Sequence, residues 1–321
     1  PKSCGFMPDN SDILVKILGE SNDTLTILNS AGAKGPKFIS ENGRITIMDI
    51  LRSLSHKKML ILLFFLFILT FSALAVRSNA KRHVVVLCYH HIVSDEEAAK
   101  VNNGAIISAS EFKEQMKYLH DNGYYAATLS DMESFLYSKT RLPKRTVLIT
   151  FDDGYESAYT YVYPILEEYG LHGVVFIIGS AVRTTPQEKG TLAMLSVDEI
   201  REMSKSGFIE FGSHTFNAHY FVKDKKSAFV EMDENELSKD FRDMDSFFEK
   251  IGMPKVLSIA YPYGQFNAKI VNEALVQGYK LGFTVNPGFV YQDSSPMTLN
   301  RMVIFPGKSL SEFKAMLRGR G

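Results

Sequence analysis

Residues 150–154 read Thr-Phe-Asp-Asp-Gly and close an apolar run, 146–151, with the composition of a buried strand. Parallel α/β proteins place their chemistry at the C-terminal ends of such strands, where Asp152 and Asp153 would lie. Two ionised carboxylates in a dry pocket repel. A cation relieves this when one carboxylate binds it and the other stays free as a base. An Asp-Gly turn is the other reading of the same residues. His214 and His219, five residues apart, follow a second apolar run, 208–211. In a loop or a first helical turn they could converge on one metal. An aspartate from a neighbouring strand end would complete a His₂Asp set with an open position, the pattern of catalytic zinc. Residues 260–264, Ala-Tyr-Pro-Tyr-Gly, follow a third run. Pro262 and Gly264 would fix a rigid turn that can aim a backbone N–H at a developing oxyanion and offer a Tyr face to a sugar. A plain βα turn is the alternative.

These residues need a frame. From residue 84 onward, apolar runs at 84–89, 147–151, 174–178, 208–211, 257–260, 281–284 and 302–305 read as buried strands. Amphipathic stretches lie between them. Ser130 with Glu133, Ser196 with Glu199 and Ser309 with Glu312 each match a capping box. The charged stretch 233–251, with its Phe/Leu/Met stripe, reads as a surface helix. Strand–helix alternation of this kind predicts an α/β domain with a mainly parallel sheet over 84–317, and a barrel is its natural closure.

The chain has 321 residues, 36 basic and 36 acidic, so no charge excess points to nucleic acid. Two cysteines, Cys4 and Cys88, exclude a disulfide framework or a cysteine zinc site. Residues 59–76 are mostly apolar and carry no charge, with Lys57 and Lys58 before them and Arg77 after. The segment 58–77 is therefore expected to be a transmembrane signal anchor or a signal peptide, which puts the rest of the chain outside the cytoplasm, membrane-anchored or secreted. Residues 1–57 hold short apolar runs among Gly, Asn and Ser and are assigned no role; translation could begin at Met59.

The three motifs, in this order and at these separations, resemble the polysaccharide deacetylase family, also called the NodB-homology family or carbohydrate esterase family 4. The resemblance covers roughly residues 84–305. It implies a distorted (β/α)7-type barrel and metal-dependent removal of N-acetyl groups from amino sugars, with release of acetate. It implies that Asp153, His214 and His219 hold a divalent metal, Zn2+ first, with Co2+, Ni2+ or Mn2+ as alternatives. By the same resemblance Asp152 is the general base, Pro262, Tyr263 and Gly264 line the pocket, and the Tyr263 N–H is an oxyanion donor.

The sequence departs from the commonest family pattern in three places. The histidines are five apart, not four, which resembles the branch that deacetylates poly-β-1,6-N-acetylglucosamine in biofilms. The family Arg before the Pro-Tyr-Gly turn, which contacts the base, is absent, and Ala260 precedes the turn instead. No His follows His219; Leu299-Asn300-Arg301 stands where many members carry the acid histidine. The biofilm branch draws its acid from a Y-H-x-I/V motif, which maps onto Tyr89 and His90, with His91 as the rival. The expected partner is therefore an N-acetylglucosamine polymer acted on by a monomer, poly-N-acetylglucosamine ahead of peptidoglycan or chitin oligosaccharides. A catalytically silent glycan-binding member and a paired-carboxylate glycoside hydrolase are the competing classes. The second fits poorly, because adjacent carboxylates cannot flank a glycosidic bond.

Overall fold

Strands buried at every position, not at alternate ones, need cover on both faces. Thr146–Phe151 and Gly173–Ile177 are of this kind. A computed structural model of the chain shows how the cover is arranged. It describes residues 82–186 and 192–319, with His56, Lys57, Leu60, Ile61, Phe64 and Phe65. The chain divides into two units, Pro1–Ala80 and Lys81–Gly321.

The second unit carries β1 (His83–Tyr89), β2 (His91–Val93), β3 (Ile106–Ser108), β4 (Tyr125–Ala126), β5 (Thr146–Phe151), β6 (Gly173–Ile177), β7 (Ile209–Ser213), β8 (Ser258–Ala260), β9 (Leu281–Phe283), β10 (Val290–Tyr291) and β11 (Met302–Val303). The main sheet runs β10–β1–β5–β6–β7–β8–β9, with β11 also on β1 and β4 also on β5. Every pairing is parallel except β1 with β10. The longer helices are α1 (Ala109–Asp121), α2 (Leu129–Tyr137), α3 (Tyr163–Tyr169), α4 (Val197–Ser206), α5 (Glu234–Lys250), α6 (Ala268–Val276) and α7 (Leu310–Leu317).

The period-2 alternation of strand side chains divides the core. Val85, Leu87, Val147, Ile149, Val175 and Ile177 pack with Phe112 and Met116 of α1, Leu166 of α3, Met203 of α4 and Phe241 and Met244 of α5. Val84, Val86, Leu148, Val174 and Phe176 form the second cluster, joined by Met132, Phe135 and Leu136 of α2. The register Leu87↔Ile149 and Cys88↔Thr150 keeps the faces aligned between strands. Cys88, Thr150 and Asp152 therefore continue the face begun by Val86 and Leu148.

The seven sequence-predicted strands are all present, and four short ones, β2, β3, β4 and β10, went unread. The barrel expectation needs correction: the sheet is a curled half-barrel. Strands β8, β9 and β11 have only three, three and two residues, too few for full ladders. The two edges are bridged by one irregular segment. Leu299 exchanges hydrogen bonds with Gly282 and Thr284 on one side, and Met302 and Val303 pair with β1 on the other. One capping box was also misplaced. Ser130 lies inside α2, whose cap is Thr128 with Asp131; the Ser196/Glu199 and Ser309/Glu312 boxes form as read, and Asp233 with Glu236 adds another.

The segment 59–76 lies mostly outside the described residues. Leu60, Ile61, Phe64 and Phe65 are helical and exposed. Among the described residues no helix is long and apolar enough to cross a membrane.

Candidate active site and metal centre

Four strand ends and one bridging segment meet at the C-terminal rim of the sheet: His90 after β1, Asp152 and Asp153 after β5, His214 after β7, Pro262–Gly264 after β8, and Arg301 before β11. Asp153 Oδ1 lies 3.4 Å from His214 Nε2 and 3.3 Å from His219 Nε2. Three ligands at zinc distances around one tetrahedral ion sit about 3.4 Å apart. Asp153 Oδ1 is buried without a hydrogen-bond partner among the described residues, a costly arrangement unless something else satisfies it. His214 Nδ1 lies 2.7 Å from the Ala260 carbonyl. A proton on Nδ1 would donate to that carbonyl and leave the Nε2 lone pair facing Asp153, as ligating histidines are commonly oriented. The donor set fits a divalent cation.

The five-residue histidine spacing works because the chain between them is a held loop, not a helical turn. Thr215 has φ 70°, in the left-handed region. Phe216 and Asn217 each donate a backbone N–H to the buried Asp240 carboxylate of α5, at 2.8 Å. The Thr215 hydroxyl accepts from the Ala218 N–H at 3.2 Å. Asp153 and Tyr263 are also at positive φ, 75° and 56°. Three non-glycine residues in this region, costing about 1–3 kcal/mol each, cluster at the one site. Gly154 sits at φ 80°, where a side chain would be strained, and a Cβ there would press on Ile177 at 3.0 Å.

Asp152 is 2% exposed and held by a residue the sequence reading assigned no such role. Arg301, fully buried, binds it in a fork: Nη1 to Oδ1 at 2.7 Å and Nη2 to Oδ2 at 2.6 Å. The guanidinium also donates to the Thr284 carbonyl at 2.7 Å and the Thr150 hydroxyl at 3.2 Å. Burial alone would push the Asp152 carboxyl up. The Arg301 charge, then His214, overcomes this and holds it well below the usual carboxylate range. The bridging segment thus supplies Asp152 with a buried positive partner that Ala260, just before the Pro262–Gly264 turn, cannot. A lone Arg inside the apolar run 302–305 and its lead-in was the available signal, since a buried charge requires a partner.

Burial also lowers His219, with the neighbouring His214 charge second, to about 4, so the ring is neutral. For His214 burial is outweighed by Asp152 and then Asp153, and the ring is raised. Cys88 adjoins Asp152, its Sγ 3.6 Å from Oδ2; burial pushes the thiol well up and keeps it neutral. Cys88, His90 and Asp152 form a second close donor group. Both Asp152 oxygens are already committed to Arg301.

The two candidate acid histidines diverge. His90 lies beside Asp152, with its Nδ1 buried and without a hydrogen-bond partner among the described residues. His91 turns away: its Nδ1 lies 2.8 Å from the Ser157 hydroxyl and its ring stacks on Tyr155 at 4.3 Å. In the Pro262–Gly264 turn, Gly264 and Gln265 donate back to Tyr261 and Pro262. The Tyr263 N–H precedes these first internal donors. The Tyr263 ring does not offer its face to a sugar as read from the sequence. It lies between His219, 4.5 Å away, and Phe221, stacked at 3.7 Å and 19°.

Residues 139–282 match the family described as polysaccharide deacetylase. The chain is 33% identical over 200 residues to the poly-beta-1,6-N-acetyl-D-glucosamine N-deacetylase of Staphylococcus aureus (strain MSSA476), covering 62% of this chain and 67% of that one. Among solved structures it is similar to the deacetylase PplD of Streptococcus pyogenes in complex with acetate (TM-score 0.63, 26% identity, 74% of this chain and 99% of that one). It is also similar to IcaB from Ammonifex degensii (TM-score 0.64, 25% identity, 75% and 98%).

Proposed function

This chain belongs to the polysaccharide deacetylase family, and on that premise we propose that it hydrolyses N-acetyl groups of a poly-β-1,6-linked N-acetylglucosamine polymer with a divalent metal, releasing acetate. One observation carries the reading. An orphaned Asp153 oxygen faces two histidine nitrogens at 3.3–3.4 Å, directly beside an Arg-clamped carboxylate. The polymer is the one named for the S. aureus relative, and the five-residue histidine spacing agrees with it. That PplD was solved with acetate, the small product of such a reaction, supports the same chemistry.

Asp153, His214 and His219 would hold the cation, and their oxygen and imidazole donors suit zinc, with cobalt, nickel or manganese as substitutes. A cation bound there supplies Lewis acidity and lowers the pKa of a water. Asp152, ionised at any working pH because Arg301 holds it so, takes the proton of the attacking water. Arg301 keeps that carboxylate in one orientation. The Tyr263 N–H donates to the oxygen on which charge develops, from a turn fixed before reaction. His90 gives its proton to the departing glucosamine nitrogen. The apolar run 59–76 supports an extracytoplasmic location, where such polymers lie.

The test is acetate release from poly-N-acetylglucosamine by the full chain, stripped of metal and reloaded with zinc, beside Asp152→Asn. Release that needs the metal and falls at least about 10²-fold in the variant supports the reading. Metal-loaded protein that releases acetate only from peptidoglycan or chitin oligomers overturns the polymer assignment, and none from any of them overturns the hydrolase.

A further inference from the structure

The aromatic chain that begins at the metal ligands continues to the surface. His214 and His219 have ring centroids 4.6 Å apart, His219 and Tyr263 4.5 Å, and Tyr263 and Phe221 3.7 Å. Phe221 is 49% exposed at the end of this run, beside Tyr220 at 52%. Large aromatics left half in water at the mouth of a buried site need a reason, because burying each would be worth about 2–3 kcal/mol.

Phe221 is also held in place. It bridges to Ser227 across a short hairpin, closed by the Val222 N–H on the Lys226 carbonyl at 2.8 Å. Gln265, the residue after the Tyr261–Gly264 turn, ties that hairpin to the turn. Its Oε1 accepts from the Ser227 N–H at 2.8 Å and its Nε2 donates to the Lys225 carbonyl at 3.1 Å. The hairpin and the turn that carries Tyr263 are therefore one unit. One face of Phe221 is spent on Tyr263; the other is free of any aromatic partner among the described residues.

We propose that the outer face of Phe221 is the floor of a subsite for the sugar next to the one being deacetylated. The apolar C–H face of an uncharged pyranose would stack there. This rests on the polymer reading above and deepens it: recognition extends one ring beyond the reacting residue, so a chain is preferred to a single sugar. Stacking on a preset ring costs little ordering, since the hairpin and turn already fix it. An aromatic contact of this kind is worth about a 3- to 10-fold change in affinity.

The chain contains no tryptophan, so Phe221→Trp gives a single reporter at the proposed floor. Metal-free full-length Phe221→Trp is titrated with N-acetylglucosamine oligomers, β-1,6-linked and β-1,4-linked, and with the monosaccharide. The expected result is a saturable change in tryptophan emission with oligomers at concentrations at least about 3-fold below those needed with the monosaccharide. Because this reads binding without turnover, it stands apart from the acetate assay: emission change without acetate release would sink the hydrolase reading alone. In metal-loaded protein, Phe221→Ala and Phe221→Leu should raise KM for the oligomer about 3- to 10-fold, and change hydrolysis of a simple aryl acetate by clearly less. Phe221→Trp should restore the oligomer KM. A flat emission titration, or an equal loss on oligomer and aryl acetate, overturns the subsite; the second outcome would mean that Phe221 only props Tyr263.

Discussion

Replacing Arg301 with Met removes a guanidinium that makes four hydrogen bonds inside the protein, two of them to Asp152. The carboxylate would remain, 2% exposed, with its main counter-charge gone. Breaking a buried pair from one side typically costs about 3–5 kcal/mol. In a unit of this size that is a fall in Tm of roughly 6–20 °C. The pH dependence is the sharper readout. With Arg301 present, Asp152 titrates below its unfolded value of about 3.9, so its stabilisation is full above that pH and is lost as pH falls through and below it. Without Arg301, burial, the largest influence on this group, is opposed chiefly by His214 and His90, and the carboxyl is expected to titrate above its unfolded value. The variant is then penalised most at neutral pH and relieved on acidification. The gap in Tm between wild type and Arg301→Met should therefore narrow between pH 7 and pH 4. In the same variant kcat should fall about 10²-fold as the base loses its fixed orientation, and the acid limb of the rate profile should move upward. Arg301→Lys, which restores charge without the fork, should recover part of the stability and little of the rate. A Tm gap that stays constant with pH, or a rate profile with an unmoved acid limb, would refute the reasoning.

The remaining predictions concern the groups around that pair. Asp240→Ala frees the Phe216 and Asn217 N–H groups that shape the histidine loop, and should weaken zinc binding about 10- to 100-fold in a chelator competition. His219 has its folded-state pKa at about 4, against 6.5 unfolded, so metal-free protein should lose about 3 kcal/mol from this group as pH falls from 6.5 towards 4. His214 shifts the other way and partly offsets it. His219→Asn should accordingly flatten the acid side of the metal-free stability curve, and thermal melts at pH 7 and pH 5 would reveal parallel curves if the idea is wrong. His90→Gln should cut acetate release at least about 10²-fold with the fold intact. His91→Gln should keep most of the activity while losing about 1 kcal/mol, since its contacts are to Ser157 and Tyr155 and not to the base. Equal effects of the two on rate would remove the distinction between them.

The candidate site residues were legible because a strand end is a local feature. Asp152, Asp153 and His214 each stand at or just past an apolar run, and period-2 alternation with parallel pairing carries Cys88, Thr150 and Asp152 along one face. Strand positions were legible for the same reason, as were the Ser196/Glu199 and Ser309/Glu312 capping boxes, each of which spans only four residues. What the tertiary structure alone decided is whatever depends on two distant segments meeting. Arg301 reaches Asp152 across 149 positions, and no spacing rule connects them. Asp240 shapes the His214–His219 loop from a helix more than twenty residues away. Phe221 covers the Tyr263 face that the isolated turn offered to a ligand. Whether the sheet closes was likewise decided by three short strands, whose lengths a hydrophobic pattern does not fix to the residue. Local pattern sets which residues stand at the rim of the sheet; long-range packing sets their partners, and through those partners their charge and orientation.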